Sequence, residues 1–469
     1  MTLQFTPSTF LSPVSRVDLP AYDRTALTPA VVHFGVGGFH RAHQLTYFDR
    51  LAGLQERDWG VIGVGISSPR MGQVLSGQDN LFTVVERGST ASTARVVGVM
   101  VEYLLLAEER AAVLARLADP RVRLVTLTIT GDGYAADGTA GRPSVFGVIA
   151  AGLELRRQRG IAPFTVLSCD NLPDNGAATR RAVIAAARAR STGLAAWIDR
   201  TVAFPDSMVD RITPVTSAAD RRWIAREFQV DDGWPVITEP FSQWVIEDRF
   251  SNQRPPLEQV GVRYVDDVAP YKLIKTRMLN GAHCALGYLG SLAGHRRTDE
   301  AMADPVISQY VARLLGDEIA PLLPQDVPGM ELHAYRRTLL DRFGNPAVGD
   351  GLPRLCRRGS TKMPAYLLPS LWAAQAADRP RKLLLLAVAA WLRYLRGVGL
   401  RGEPIEVEDA RLTELRALAA TGTTAVLTLT DVFADLAEHP DDVRTIETLI
   451  NDLDHRGLTS TMRTLLCHH

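Results

Sequence analysis

The chain is poor in cysteine, with four in 469 residues. These cysteines stand far apart, at positions 169, 284, 356 and 467, and none belongs to a C-x-x-C pair. Their spacing fits neither a disulfide framework nor a structural zinc site. We therefore expect reduced cysteines that serve in packing.

Long apolar runs and an excess of either charge are also missing. The longest aliphatic stretches, such as residues 383–391, are far shorter than a membrane span, and no basic segment followed by an apolar one opens the sequence. Basic and acidic residues both number 52, which leaves no electrostatic footprint for nucleic acid or an anionic membrane. We expect a cytoplasmic protein, a monomer or small homo-oligomer, whose partner is a small molecule.

The sequence pattern changes near residue 266. Before it, short apolar runs at 30–34, 59–66, 82–86, 123–129 and 165–168 alternate with helical patterns such as 107–117 and 177–190, which is typical of a parallel sheet covered by helices. After it, helical patterns at 271–293, 304–315, 381–396 and 407–420 follow one another without strand runs. We predict an α/β protein with a Rossmann-like cofactor-binding domain, 1–267, and a mostly helical substrate-binding and catalytic domain, 268–469.

A glycine-rich turn, GVGGFHRAHQ at 35–44, follows the first of these runs and leads into a helical pattern. In a dinucleotide-binding turn, Gly35 would permit the sharp bend and Gly37 would let the backbone approach a pyrophosphate. His40 stands where the third glycine is usual, and an ordinary strand-to-helix turn is the alternative reading. This region contains three histidines, His33, His40 and His43, which do not form a convincing set of metal ligands. His43 either contacts the cofactor or has a packing role.

The second strand run ends in Ser67-Ser68-Pro69-Arg70, where an acidic residue usually binds the adenosine ribose of NAD. Without that carboxylate, exclusion of a 2′-phosphate is lost. Arg70 either accepts such a phosphate or is a solvated loop residue. The residues alone leave NAD and NADP both open.

Three polar residues fall within one broad face of the helix predicted at 271–293. At about 100° per residue, Lys275, His283 and Asn280 lie at roughly 0°, 80° and 140°. A desolvated lysine has its pKa lowered toward neutrality and can take the proton of an alcohol, while an asparagine amide stabilises the resulting oxyanion. The alternatives are a surface cation, a polar group at a helix end and a core histidine.

Five ordered motifs resemble the long-chain polyol-specific dehydrogenases, the mannitol 2-dehydrogenase family, which includes arabinitol dehydrogenases and fructuronate and tagaturonate reductases. They span both predicted domains: GVGGFHRAHQ (35–44), SCDNLPDNG (168–176), FPDSMVDRITP (204–214), TEPFSQWVIED (238–248) and KTRMLNGAH (275–283). The resemblance implies metal-independent hydride transfer between a sugar alcohol and its ketose. It favours NAD as the cofactor, with NADP not excluded.

The resemblance also assigns roles. Lys275 resembles the catalytic base, Asn171 and Asn280 the pair that holds the reacting oxygen, and His283 a substrate-positioning residue. Arg354 and Lys362 resemble residues that contact substrate hydroxyls, with surface placement as the competing account. Asp210 resembles a polar residue near the cofactor, or else has a structural loop role. Cofactor contact is further implied for Gly35, Val36, Gly37, Gly38, Phe39, Ser67 and Arg70.

Other functions remain open at this point. A uronate reductase of the same family would need an extra cation for the substrate carboxylate, and the arginines and lysine of 354–362 cannot exclude it. A non-catalytic NAD(H)-sensing protein would explain the glycine turn but leave the lysine, asparagines and histidine as coincidence. A zinc-dependent alcohol dehydrogenase lacks a convincing ligand set.

Overall fold

The computed structural model describes residues 3–4, 16–129, 133–134 and 144–467. The chain divides into two compact units, Met1–Ala269 and Pro270–His469. In the described part of the chain, no helix has both the length and the apolar character needed to cross a membrane.

The first unit holds all thirteen named strands of the described residues. They are β1 (Leu3–Gln4), β2 (Pro29–Phe34), β3 (Gly60–Gly65), β4 (Phe82–Arg87), β5 (Ser92–Val97), β6 (Met100–Leu105), β7 (Leu124–Leu127), β8 (Thr165–Ser168), β9 (Ser207–Asp210), β10 (Val230–Asp231), β11 (Val236–Thr238), β12 (Gln243–Glu247) and β13 (Arg263–Val265). Its helices are α1 (Gly38–Ala42), α2 (Gln44–Gly53), α3 (Arg70–Ser76), α4 (Arg110–Leu117), α5 (Val145–Gln158), α6 (Asn175–Arg188), α7 (Thr192–Thr201) and α8 (Ala218–Phe228), with 3-10 turns at Arg24–Ala26 and Leu257–Val260.

A five-stranded parallel sheet forms the centre of this unit, in the order β6-β3-β2-β7-β8. This is the third-second-first-fourth-fifth order of a doubly wound dinucleotide-binding sheet. Successive residues of β2 face opposite sides, so Val32 and Phe34 join one hydrophobic core and Val31 joins another. Both faces of the sheet are therefore covered, and the predicted Rossmann-like fold is confirmed.

One predicted strand belongs elsewhere. Residues 82–86 do form a strand, β4, but it lies in a three-stranded sheet, β11-β4-β5, and not in the parallel sheet. The place at the edge of the parallel sheet is taken by β6, which the sequence pattern did not indicate. Glu102 and Tyr103 of β6 are only half-buried, and an edge strand of this kind lacks the continuous apolar run of a central strand. Two further sheets, β13-β12-β9 and β1-β10, complete the unit.

The second unit is helical, as predicted. Its α-helices are α9 (Ala269–Ile274), α10 (Gly281–Leu292), α11 (Thr298–Ala303), α12 (Pro305–Arg313), α13 (Leu332–Phe343), α14 (Leu352–Cys356), α15 (Gly359–Lys362), α16 (Leu368–Ala376), α17 (Lys382–Tyr394), α18 (Leu412–Thr421), α19 (Thr423–Leu427), α20 (Thr430–Phe433) and α21 (Pro440–Cys467), the last broken at Gly457. Three π-helical turns, Lys275–Asn280, Leu314–Ile319 and Met363–Leu367, and 3-10 turns at Ala320–Leu322 and Leu436–Glu438 lie between them. The apolar α17 is buried along its length except at Lys382, and it packs against α10 and α21.

Candidate active site

The glycine-rich turn of the first unit has the backbone that its sequence predicts. Gly35 follows β2 with φ +96°, and a Cβ at this position would run into the backbone carbonyl of Thr128. Only glycine fits such a site. A Cβ added to Gly37 would have the Gly35 carbonyl oxygen as its nearest neighbour, 3.9 Å away, so the space beside this residue is open. An adjoining cavity of about 250 Å³ is lined by residues that include Gly38, Phe39 and Trp234.

His40, at the position of the usual third glycine, is buried and stacks on His33. Their ring centroids are 3.2 Å apart and the rings are nearly parallel. His33 is held by the hydroxyls of Thr126 at 2.7 Å and Thr128 at 2.9 Å. Burial lowers the pKa of His33 to about 3 and that of His40 well below its ordinary value. Both rings are therefore neutral at physiological pH, and the stack lets a histidine occupy a crowded position beneath the turn.

His43 packs in the core. Its ring is buried among Phe39, Tyr47 and Trp244, and its Nε2 lies 2.9 Å from the carbonyl oxygen of Gln243. Of the two readings of His43, packing is the one that these contacts support.

The end of β3 carries no acidic side chain. Ser67, Ser68 and Arg70 are exposed there, and the Arg70 guanidinium lies over the Trp234 ring, 4.8 Å from its centroid. Arg70 is therefore an exposed cation that also stacks on an aromatic face.

Asn171 lies three residues beyond the carboxyl end of β8 and is exposed. Because all five strands are parallel, it shares one edge of the sheet with Gly35 and Ser67. Asp210 ends β9 and is buried; three residues on, the Thr213 methyl approaches the Cβ position of Gly38 at 3.9 Å. The first unit thus places the segment that follows Asp210 beside the glycine turn and Asn171 two strands away.

In the second unit, Lys275 and Asn280 begin and end a π-helical turn, between α9 and α10. The sequence predicted an α-helix, in which residues five apart diverge by roughly 140°. Hydrogen bonds in a π-turn join residues five apart, so the two side chains lie on one face. In this turn, Lys275 and Asn280 therefore lie closer together around the helix axis than the sequence analysis expected from an α-helix.

Two of the predicted site residues in this part of the chain are buried. Lys275 is 6% exposed, and His283, in the first turn of α10, is also buried with its ring centroid 4.6 Å from that of Phe343. The amide nitrogen of Asn280 is buried and finds no hydrogen-bond partner among the residues that the structure describes. A water or a ligand oxygen can satisfy a buried donor that has no protein partner.

Lys362 and Arg354 lie close to this turn. The π-turn Met363–Leu367, directly after Lys362, packs against Lys275–Asn280. Lys362 Nζ donates to the carbonyl oxygens of Arg354 and Leu355 at 2.9 and 3.0 Å, and burial lowers its pKa. The second unit therefore brings Lys275, Asn280, His283, Arg354 and Lys362 into one region.

Asp350 is a member of this region that the sequence analysis missed. It is buried, and both of its oxygens accept hydrogen bonds from the Arg354 guanidinium, one of them at 2.7 Å. Burial raises its pKa, but the bonds and charge of Arg354 outweigh this, so the pKa of Asp350 lies below its ordinary value. The charges of His283 and Lys362 act on it in the same direction. The i,i+4 spacing of Asp350 and Arg354 was the available signal.

Comparison with known proteins gives two family matches that together cover most of the chain. Residues 29–259 match the mannitol dehydrogenase Rossmann domain and residues 267–454 the mannitol dehydrogenase C-terminal domain. A mannitol 2-dehydrogenase of Aspergillus clavatus is 40% identical, over 97% of this chain and 96% of its own. One from Aspergillus fumigatus is 41% identical over 95% of each chain.

Two solved structures of polyol dehydrogenases are also similar to this chain. The Pseudomonas fluorescens mannitol 2-dehydrogenase, determined as a ternary complex with NAD and D-mannitol, superposes with a TM-score of 0.86 at 40% identity and covers 99% of both chains. A D-sorbitol dehydrogenase in substrate-free form gives a TM-score of 0.90 at 32% identity, over 98% of this chain and 100% of its own.

Proposed function

Because this chain belongs to the mannitol dehydrogenase family, we propose that it is an NAD-dependent oxidoreductase that interconverts a sugar alcohol and its ketose. The substrate is of the mannitol, sorbitol or arabinitol type. The observation that carries the proposal is the buried Asn280 amide, a donor that has no partner among the described residues and lies on the same turn as a buried lysine. An alcohol oxygen that gives up its proton requires these two groups, a base and a hydrogen-bond donor.

The cofactor residues fit a dinucleotide. Gly35 makes the sharp bend, the open face of Gly37 and Gly38 admits a pyrophosphate, and Ser67 and Arg70 stand where the adenosine ribose is bound in this fold. Bound there, NAD would supply the acceptor for the hydride of the carbinol carbon. We assign cofactor contact also to Val36, Phe39 and Asp210.

Lys275 is the proposed general base. With 6% exposure it loses hydration, which disfavours the charged ammonium and favours the neutral amine that can accept a proton. In polyol oxidation its Nζ takes the hydroxyl proton while Asn280 Nδ2 donates to the oxygen. In ketose reduction the ammonium returns that proton. Asn171 is proposed as a second donor to the oxygen, and His283, Arg354 and Lys362 as groups that position the remaining hydroxyls.

The test is a set of initial rates with purified protein. Mannitol, sorbitol and arabinitol are oxidised, and fructose and the matching uronates reduced, each with the NAD and the NADP form of the cofactor. We expect turnover with at least one neutral polyol and its ketose. A protein that binds NADH tightly but turns over no member of the panel would contradict the proposal and support an NAD(H)-sensing role.

A further inference from the structure

Asp350 and Arg354 form an ion pair at the start of α14. Arg354 Nε donates to Asp350 Oδ1 at 2.7 Å and Nη2 donates to Oδ2, so the guanidinium and carboxylate meet edge to edge. The Asp350 side chain is 3% exposed, whereas that of Arg354 is 44% exposed. The acid is thus fixed inside the protein and the arginine extends from it toward the open side.

This geometry divides the donors of Arg354 into two sets. A guanidinium has five N–H groups, and the Asp350 carboxylate takes two of them. The remaining three can still donate to hydroxyl oxygens. The positive charge of Arg354, however, already has the Asp350 carboxylate as a bidentate partner. A substrate carboxylate bound to Arg354 would lie close to that of Asp350 and be repelled by it.

Lys362 is restrained in a similar way. Two of its three N–H groups donate to the backbone oxygens of Arg354 and Leu355, which leaves one for a substrate. Arg354, Lys362 and ionised Asp350 together carry one positive charge where the two cations alone would carry two. These three groups are rich in donors and carry a single excess positive charge.

We propose that Asp350 determines the charge selectivity of the substrate site: by pairing with Arg354 it favours uncharged polyols and ketoses and disfavours sugar acids. The inference rests on the proposed function and deepens it. It also explains why an arginine and a lysine beside the proposed base do not by themselves make a uronate site.

The experiment compares fructose with fructuronate, which differ in one terminal group, a CH₂OH or a carboxylate. Their kcat/KM values for NADH-dependent reduction are measured for the wild type and for Asp350→Asn. Removing the negative charge should raise the fructuronate-to-fructose ratio about tenfold or more, the effect typical of a charge at short range. Mannonate, tested as an inhibitor of fructose reduction, should bind more tightly to Asp350→Asn by a similar factor.

A cycle of variants keeps the test decisive even if Asp350→Asn does not fold. Arg354→Gln leaves the acid without its cation and should lower the ratio below that of the wild type. Asp350→Asn combined with Arg354→Gln removes both charges and should return the ratio toward the wild-type value. Asp341→Asn makes the same charge change at an exposed position of α13 and should leave the ratio unchanged.

The outcomes separate the inference from the proposed function. If the wild type reduces fructose but the ratio and the mannonate inhibition are the same in the Asp350 and Arg354 variants, the charge-selectivity role is wrong and the polyol assignment stands. If the wild type prefers fructuronate to fructose, both are wrong. A ratio that rises in Asp341→Asn as much as in Asp350→Asn would also overturn the role of Asp350.

Discussion

Lys275 and Asn280 have different proposed roles at the reacting oxygen. Lys275 exchanges a proton with it, whereas Asn280 only donates a hydrogen bond. The pH dependence of the reaction therefore distinguishes their roles. A lysine base must be neutral to oxidise a polyol and protonated to reduce a ketose. We expect the oxidation rate to rise with pH and the reduction rate to fall.

Lys275→Ala should lower turnover by about 10²-fold or more, because proton transfer loses its base. NADH affinity, measured by fluorescence titration, should remain close to that of the wild type. Small exogenous amines should restore part of the activity. Lys382→Ala removes an exposed lysine of the same unit and is the control. Near-normal oxidation with an unchanged pH profile in Lys275→Ala would transfer the role of base to His283.

Asn280→Ala should give a different signature. Loss of the buried amide donor weakens stabilisation of the oxyanion in both directions, by roughly 10²-fold in kcat as for other oxyanion donors. The amide does not titrate in this range, so the pH profile should keep its wild-type shape. A profile in which the pH dependence disappears would show that Asn280 takes part in the proton transfer itself.

Ser68 allows a test of cofactor discrimination. It is exposed just beyond β3, in a loop where no carboxylate repels a 2′-phosphate and where Arg70 stacks on Trp234. Ser68→Asp should lower kcat/KM with NADP relative to NAD, because the added charge repels the phosphate. Ser76→Asp adds the same charge at the other end of α3 and should have no such effect. Equal NADP-to-NAD ratios in the wild type and Ser68→Asp would mean that another residue contacts the ribose.

At the scale of elements, the periodicity of the sequence predicted the alternation of strands and helices but not which strands pair with each other. Residues 165–168 form β8 as predicted, whereas β4 pairs outside the parallel sheet. Sheet membership depends on long-range pairing, which a local apolar run does not specify. The π-turn Lys275–Asn280 was hidden for a similar reason, since its residues read as an ordinary helix. The residue types of the proposed site were visible in sequence, whereas Asp350 offered only its i,i+4 spacing from Arg354 and was identified through its bonds to that residue.

The stacked histidines beneath the glycine turn predict acid sensitivity. Their native pKa values lie below the unfolded value of about 6.5, so the unfolded state binds more protons as the pH falls. Stability should be fully present above about pH 6.5 and decline below it, by up to about 1.4 kcal/mol per pH unit for each ring. Urea unfolding at a series of pH values measures this slope.

His40→Asn should reduce that slope between about pH 6.5 and 4, because one titrating group is removed. His455→Asn replaces an exposed histidine and serves as the control, with the wild-type slope retained. Identical slopes for the wild type and His40→Asn would mean that His40 is not the group whose protonation destabilises the turn.

At the scale of the whole molecule, the proposed reaction takes a dinucleotide turn from the first unit and a base with hydrogen-bond donors from the second. All four cysteines are free. Among the described residues, no three His, Cys, Asp or Glu side chains are grouped as metal ligands. The proposed reaction places a lysine and an asparagine at the oxygen that a zinc ion would otherwise polarise.

We therefore predict that turnover does not depend on a metal. A zinc enzyme loses activity when a chelator removes the ion that activates the alcohol, whereas an amine base and an amide donor are covalent parts of the chain. Purified protein is incubated with a strong chelator, desalted and assayed for polyol oxidation, while elemental analysis measures bound metal. A zinc-dependent alcohol dehydrogenase treated in parallel shows that the chelation is effective. We expect unchanged rates and no stoichiometric metal. Recovery of one tightly bound zinc per chain, with activity lost on its removal and regained on its return, would refute the lysine mechanism.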